Sequence, residues 1–360
     1  VICDYFIHQK VNLDLHEIIS QSSKIRNDIT YELFVNTTRA NQIIYFYEFL
    51  IKYVISNDSC NFKRLLQMDI RDLAINSILR ENTEGSPFVV AIQMCNLDVI
   101  NLFIDYFGEE ISQLTDQINS GLRLILTNIS QYNLRPFIEK ESSDDEDDET
   151  LDYFEVFQRL VEVAPNLDMN ICVNNRSFLS LAIYKSNLEF ITFYLSHLSD
   201  SSVFNGHSPN SPLIQAILDQ NLDIINLFID FLDSKIGEQT ENILSGLRWL
   251  LGNLNYPFNT SSHEMSAQIL QRLATVVDID LNFTCKKDTF LTFAMKKSLV
   301  PLARCVLENM KKRGQLDEVS PTSPLVYAIS TCKYQFIDLI IEVLGKDIAN
   351  QTKQINFGLQ

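Results

Sequence analysis

A block of about twenty residues occurs three times in this chain. Each copy begins with Ser-Pro, runs into an apolar stretch that contains an alanine, and reaches a second apolar stretch after a short polar break. The copies start at Ser86, Ser211 and Ser323, which gives spacings of 125 and 112 residues, and each is followed 35 residues later by Gly-Leu. Recurrence at a fixed spacing is typical of repeat architectures, so the chain is predicted to be an array of similar units.

Two shorter relatives of the block start 34 residues before the second and third copies, at Ser177 and Thr289. Ser or Thr suits the position before a helix and Pro suits its first residue, while apolar residues at i, i+3, i+4 and i+7 give one buried face. A helical hairpin of about 33 residues cannot bury such a face alone, whereas stacked hairpins can. The pattern therefore predicts an all-α chain of stacked hairpins. The 10 glycines and 9 prolines in 360 residues also suit helices better than a β-sandwich.

The shared pattern of Ser/Thr, Pro/Phe, Leu and Ala resembles the T-P-L-H-x-A signature of ankyrin repeats. The turns at 166–170 and 278–282 resemble the turn of that family. The signature histidine is absent, and its positions are taken by Val89, Ser180, Ile214, Thr292 and Val326. The resemblance implies an ankyrin-type helical-hairpin solenoid with degenerate repeats. Each super-period of about 112 residues would hold three hairpins.

The same register divides the chain into four regions. They are residues 1–85, irregular N-terminal helical repeats; 86–176, ankyrin-like repeats with an acidic insertion at 142–150; 177–288, ankyrin-like repeats; and 289–360, ankyrin-like repeats. In the first region, helix pairs are predicted near 31–51 and 62–79 with an insertion between them. In the third, hairpins are predicted at 177–210, 211–244 and 245–288, so that Ser245 would open a helix. The last region ends inside a Gly-Leu unit, so the sequence is interpreted as a truncated piece of a longer protein.

The charge balance narrows the range of partners. There are 29 basic and 46 acidic residues, a net charge of −17, which argues against nucleic-acid binding, and no apolar stretch is long enough for a membrane span. The first spacing between copies is 13 residues longer than the second. Residues 144–149 are all acidic and lie in the part of the sequence that holds these additional residues. Such a run is typical of a solvated loop; the alternative is a docking segment for a basic partner, with Ser142 and Ser143 as phosphorylation sites for an acidophilic kinase.

Cysteine and histidine spacing argues against a metal site or a cofactor. Seven widely spaced cysteines predict reduced, buried thiols and a cytosolic protein. There is no Cys-x-x-Cys, no pair of histidines at i and i+4, and no glycine-rich phosphate loop. Cys95 and Cys332 occupy equivalent positions, as do Cys172 and Cys285, which favours packing over catalysis. No metal, cofactor or catalytic residue is predicted.

Ankyrin proteins generally bind through the turns between units and the first-helix face of the concave surface. Carried over to this chain, the turn candidates are Asn174, Asn175, Arg176, Lys286, Lys287 and Asp288. The first-helix candidates are Gln93, Tyr184, Lys185, Gln215, Tyr327 and Ser330. The alternative is that these are ordinary exposed polar residues.

The resemblance implies a monomeric protein-interaction scaffold with no enzymatic activity in this segment. The amino-acid composition, rich in Ile, Asn, Lys and Ser, is similar to that of proteins from intracellular bacteria such as Legionella, whose ankyrin-bearing effectors are delivered into host cells. The partner would then be a host protein with a basic surface. Two alternatives stay open: the non-catalytic repeat region of an enzyme whose catalytic domain lies outside this segment or in residues 16–85, and a structural spacer.

Overall fold

The computed structural model describes residues 50–66, 85–132, 149–198, 201–204, 211–253, 260–285, 288–317 and 323–359. In these ranges the chain is almost entirely helical, with two short β-hairpins, so the all-α prediction is confirmed. Contacts divide the chain into two compact units, Val1–Phe178 and Leu179–Gln360. The two units are described separately.

Unit 1 contains a helical segment at 50–55 and the following elements. They are α1 (Ser59–Leu66), α2 (Pro87–Gln93), α3 (Leu97–Phe107), α4 (Thr115–Tyr132), α5 (Glu149–Val163), β1 (Cys172–Val173) and β2 (Arg176–Ser177). Helix α3 packs against α1, α2 and α5, and α4 packs against α2 and both strands. The core includes three phenylalanines: the ring of Phe103 lies 5.0 Å from that of Phe62 and 5.1 Å from that of Phe88.

Unit 2 begins within α6 (Phe178–Tyr184). The elements that follow are α7 (Leu188–His197), α8 (Pro212–Leu218), α9 (Leu222–Leu232), α10 (Thr240–Asn253), α11 (Thr260–Val276), β3 (Thr284–Cys285), β4 (Asp288–Thr289), α12 (Phe290–Lys297), α13 (Val300–Lys312), α14 (Pro324–Ser330), α15 (Tyr334–Leu344) and α16 (Thr352–Gly358). Helices α7, α9, α11, α13 and α15 contact one another in chain order, and α14 packs between α12 and α16.

Five helical hairpins share one tight turn between their two helices. At the turn, one residue in each hairpin has φ between +52° and +61°; these residues are Cys95, Ser186, Gln220, Ser298 and Cys332. The residue after it precedes the second helix. The backbone amide of that residue donates a hydrogen bond to the carbonyl of the alanine that recurs in each first helix, for example Asn96 to Ala91 at 3.0 Å. Identical backbone geometry at five positions explains why the repeated sequence blocks produce the same hairpin.

Side chains cap the N-termini of some of the helices in these hairpins. The Asn96, Asn187 and Asn221 side chains each accept a hydrogen bond from the backbone amide three residues later, as expected for N-cap residues. At the first helix, Ser86 accepts from the Val89 amide and Thr289 forms a capping box with Thr292. The hydroxyls of Ser211 and Ser323 are also buried at helix starts, but they make no hydrogen bond within the described residues.

A sixth turn of the same kind lies where an insertion was predicted. Asn57 has φ +51°, the Asp58 amide donates to the Tyr53 carbonyl, and the Asp58 carboxylate caps α1 through the Asn61 amide. Residues 50–55 and α1 are therefore two arms of one hairpin, and the prediction of an insertion between residues 51 and 62 is wrong. The register was missed because a bulky tyrosine, Tyr53, occupies the position that holds alanine in the other hairpins.

The first two Gly-Leu pairs lie inside α4 and α10, and the third lies at the end of α16; none of them starts a helix. Helix α10 begins at Thr240, so Ser245 does not open a helix as predicted. The glycines instead allow close approach of two helices: a Cβ added at Gly121 would lie 2.7 Å from the Ile92 Cβ, and one at Gly246 would lie 2.9 Å from the Ile217 Cδ1. The Gly-Leu pair therefore marks a helix crossing.

Candidate binding surfaces

The first predicted finger is a two-residue β-hairpin. Strands β1 and β2 pair Cys172 with Ser177 and Val173 with Arg176. The turn residues Asn174 and Asn175 have φ of +51° and +62°, the left-handed conformation that asparagine tolerates and that type I′ turns require at both central positions. Both asparagines are exposed and Arg176 is half-buried. The finger thus presents two side-chain amides on a backbone that packs against α4.

The second predicted finger has the same strand register. Cys285 pairs with Asp288 and Thr284 pairs with Thr289. Lys286 and Lys287 lie outside the described residues, and only the backbone position of Asp288 is described. Ser142, Ser143 and the acidic run 144–148 also lie outside them.

The first-helix candidates differ in their exposure. Tyr184, Lys185 and Ser330 are exposed, whereas Gln93 and Tyr327 are half-buried. Gln215 is buried, and its Nε2 donates to the Ser180 carbonyl at 3.2 Å. Gln215 therefore joins α6 to α8 and is not available on a concave surface as predicted, because its position in the first helix faces the preceding hairpin.

Trp249 is an exposed aromatic residue that the sequence analysis did not select. Its side chain on α10 is 51% exposed. The neighbouring Arg248 places its guanidinium 5.5 Å from the centre of the Phe283 ring, and Phe283 immediately precedes β3. Trp249 is thus one residue from a side chain that contacts the base of the second finger. The sequence does contain one indication of its importance: Trp249 is the only tryptophan in the chain, and it lies two residues after the Gly-Leu pair of the second copy.

Large apolar side chains are also exposed near the turns of two unit 1 hairpins. Ile55 precedes its left-handed residue by two positions, and Met94 precedes Cys95 directly. In unit 2, Tyr184 occupies the same place as Ile55. Apolar side chains that are exposed singly are normal on folded proteins, so these positions alone do not mark a binding surface.

A charged depression lies between α13 and α15, but its main groups are already paired. It measures about 540 Å³, and Arg304 bonds Glu342 through two contacts of 2.8 Å across it. The hydrogen bond from Arg304 lowers the pKa of Glu342, and the same bond raises the pKa of Arg304. Lys311 donates to the Val343 carbonyl at 2.7 Å near the end of α15. The depression is therefore best understood as a link between hairpins.

The cysteines do not form the buried set that was predicted. Cys60, Cys172 and Cys332 are exposed, and Cys95 and Cys305 are half-buried. All five thiols are free, as predicted, but they lie at turns, strands and helix surfaces outside the core. Burial, together with the negative charge of Glu308, raises the pKa of the Cys305 thiol to about 12.

The described ranges contain no group of three or more His, Cys, Asp and Glu side chains arranged to hold a metal ion. None of their helices combines the length and apolarity needed to cross a membrane.

No protein-family model, no curated protein and no solved structure matches this chain. The resemblance to ankyrin repeats therefore rests on the sequence motifs alone.

Proposed function

We propose that this chain is an ankyrin-type helical-hairpin solenoid that acts as a protein-binding scaffold. The recurring hairpins support the solenoid, since five turns share one left-handed residue and the second helices of unit 2 contact one another in chain order. Hairpins that bury their faces only against neighbours form extended surfaces, and such surfaces are used mainly for recognition. Under this proposal the scaffold acts on a host protein after delivery into the host cell.

The exposed indole of Trp249 is the observation that carries this proposal. Tryptophan, tyrosine and arginine are enriched among the residues that dominate binding energy at protein interfaces. Trp249 stands beside Arg248, which contacts the base of the second finger. The proposed binding surface therefore comprises Trp249 and the second finger, both in unit 2.

A capture experiment with matched variants tests the proposal. The chain is immobilised and exposed to host-cell lysate alongside Trp249→Ala and Phe357→Ala, the latter removing another exposed aromatic side chain. We expect one defined protein to be retained by the parent chain and by Phe357→Ala but lost with Trp249→Ala.

Purified partner then provides a direct readout. Because Trp249 is the only tryptophan, its emission should shift to shorter wavelength when a tryptophan-free fragment of the partner covers it. Binding with no shift, and with unchanged affinity in Trp249→Ala, would contradict the proposed surface. Capture of no protein at all would favour the structural spacer.

The acidic segment gives a second element of the same proposal. Residues 142–150 supply a concentrated negative charge that would attract a partner with a basic surface and raise its association rate. Deleting them should slow association, with the difference disappearing at high salt. Unchanged association at low salt would remove this segment from the binding surface.

A further inference from the structure

Basic residues are concentrated in one part of an otherwise acidic chain. Residues 286–313 contain eight Lys and Arg and only two Asp and Glu, whereas the rest of the chain contains 21 basic and 44 acidic residues. This stretch includes β4, α12 and α13 of unit 2. The hairpin formed by α12 and α13 is therefore positively charged in a protein whose net charge is −17.

The basic residues of α13 and of α12 have different surroundings. Arg304 of α13 bonds Glu342 through two contacts of 2.8 Å, and Arg313, directly after α13, bonds Asp278 at 2.6 Å. These pairs link neighbouring segments of unit 2. On α12, Lys296 and Lys297 are exposed, while every other residue of the helix is buried or half-buried. The two lysines therefore form the exposed surface of α12.

The equivalent hairpin formed by α8 and α9 carries the opposite charge at its turn. The residue before the left-handed turn residue is Asp219 in that hairpin and Lys297 in the hairpin of α12 and α13. Asp223, in the first turn of α9, corresponds to Pro301 in α13. Two exposed carboxylates are thus replaced by the two exposed ammonium groups of Lys296 and Lys297. None of the other four hairpins with a left-handed turn residue has two basic residues at the end of its first helix.

Helix α12 is next to the hairpin that carries Trp249. Helices α11 and α13 pack against each other, so their two hairpins are neighbours. The guanidinium of Arg248 lies 5.5 Å from the centre of the Phe283 ring, and that ring centre lies 5.4 Å from the centre of the Phe290 ring. Phe290 is the first residue of α12. Trp249 and the exposed Arg248 therefore lie beside the helix that presents the two lysines.

We propose that these side chains bind an acidic segment of the partner protein in which an apolar residue lies between carboxylates. The α10–α12 surface, as we call it, consists of Arg248, Trp249, Lys296 and Lys297, and it combines three positive charges with one indole that is 51% exposed. Carboxylates of the partner would pair with the lysines, and the apolar side chain would cover the indole. The inference rests on the proposed scaffold function and names the chemistry of one partner contact. The basic surface expected to attract residues 142–150 is a separate part of the partner.

A tryptophan-free acidic peptide tests this chemistry directly. The purified chain is titrated with acetyl-Glu-Asp-Glu-Leu-Asp-Glu-amide, and the emission of Trp249, the only tryptophan, is followed. We expect a saturable shift to shorter wavelength with a Kd below about 1 mM. Raising the salt concentration from about 20 mM to about 0.5 M should weaken binding about tenfold or more. The uncharged peptide acetyl-Gln-Asn-Gln-Leu-Asn-Gln-amide should not bind.

Two charge-reversed chains locate the binding site. Lys296→Glu combined with Lys297→Glu should weaken binding about tenfold or more. The control combines Lys63→Glu with Arg64→Glu, an equal charge change at two exposed residues in the last turn of α1, which is also eight residues long. The control should change the affinity less than about threefold.

A milder variant keeps the test valid if charge reversal unfolds α12. Circular dichroism checks the folding of each variant, and Lys296→Gln combined with Lys297→Gln removes the charges without adding carboxylates. We expect this variant to weaken binding about fivefold. Absence of saturable binding, or equal weakening by the two charge-reversed pairs, would overturn the proposal.

Other occupants of the surface give different results. Self-association of the chain that is lost with Lys296→Glu and Lys297→Glu would assign the surface to a second copy. Peptide binding that becomes about tenfold tighter when residues 142–150 are deleted would assign it to the chain's own acidic segment. Either result would overturn the proposed partner. Absence of peptide binding with Trp249-dependent capture intact would overturn this inference and leave the scaffold proposal standing, whereas peptide binding without any such capture would contradict the scaffold proposal instead.

Discussion

Helices α9 and α15 form from similar sequences but lie in different surroundings. Both are 11 residues long, both follow a residue with φ near +53°, and both end where the next residue adopts positive φ, Asp233 after α9 and Gly345 after α15. Yet the isoleucine near the end of α9 is buried under α11, while its counterpart in α15 is largely open to solvent. The difference shows that the hairpin is a local property and that burial depends on what packs against it.

The largest test of this comparison places a charge at the two equivalent isoleucines. Ile229→Asp would bury an unpaired carboxylate between α9 and α11, so the free energy of unfolding of unit 2 should fall by more than about 4 kcal/mol. Ile341→Asp should lower it by only about 1–2 kcal/mol, because that side chain is already 43% exposed and the carboxylate can stay hydrated. Urea unfolding followed by circular dichroism measures both. Equal losses would mean that the α15 flank is covered in the free chain.

A second test concerns the helix crossings at the Gly-Leu pairs. In Gly121→Ala the new methyl group would meet the Ile92 Cβ, which cannot rotate away, so we expect a loss of about 2 kcal/mol. In Gly246→Ala the closest atom is the terminal Cδ1 of Ile217, which can rotate, and alanine favours the helix by about 1 kcal/mol. Gly246→Ala should therefore change unfolding free energy by less than about 1 kcal/mol. If both substitutions have the same effect, the two crossings are equally tight.

The left-handed turn residues allow a substitution that distinguishes two contributions to the free energy of unfolding: the local backbone conformation and the side-chain contacts with other helices. Cys332→Gly should raise the free energy of unfolding by about 0.5 kcal/mol, because glycine adopts positive φ without the steric cost paid by other residues. Gln220→Gly should gain nothing, because it also removes the hydrogen bond that the Gln220 side chain accepts from Ser266 of α11. Thermal unfolding of both variants, with Cys332→Ala as control, measures the difference. A gain with Cys332→Ala would show that glycine's freedom is not the cause.

The smallest expected effect lies on the covered flank of α15, where Glu342 bonds Arg304. Since Arg304 lowers the folded-state pKa of Glu342, the bond contributes stability above the ordinary pKa of glutamate, and this stability is lost as pH falls through the lowered pKa. Glu342→Gln should therefore reduce the urea midpoint slightly at pH 7 and not at all in strong acid. High salt should also diminish the difference because both groups are exposed. A difference that persists in acid would have another cause than this ion pair.

Most of the helical hairpins were predictable from sequence because the interactions that form them span only a few residues. The Ser/Thr starts and the apolar stripes predicted the hairpin halves, and an asparagine before three of the five second helices adds a visible cap. The same local reasoning failed at Tyr53, which hid a hairpin turn, and at Ser245, which is inside a helix.

The candidate binding residues were less predictable, because exposure depends on the neighbours of each helix. The turn position of Asn174 and Asn175 could be predicted from the sequence. The burial of Gln215 and the exposure of Trp249 could not. Equivalent positions in sequence have different neighbours in the fold. A motif alone therefore cannot separate a contact between hairpins from a contact with a partner.

The sequence by itself determined the helical fold class, the repeat spacing and the caps that start the second helices, because these depend on interactions between residues close in the chain. Only the tertiary structure decided which equivalent surfaces are covered. It placed α11 over α9, buried Gln215 against the Ser180 carbonyl of α6 and left Trp249 half-exposed on α10. The physical reason is that a side chain on a helix becomes buried only when another helix packs against it. A repeated sequence block determines the helix that carries the side chain, but it does not determine which helix packs on it.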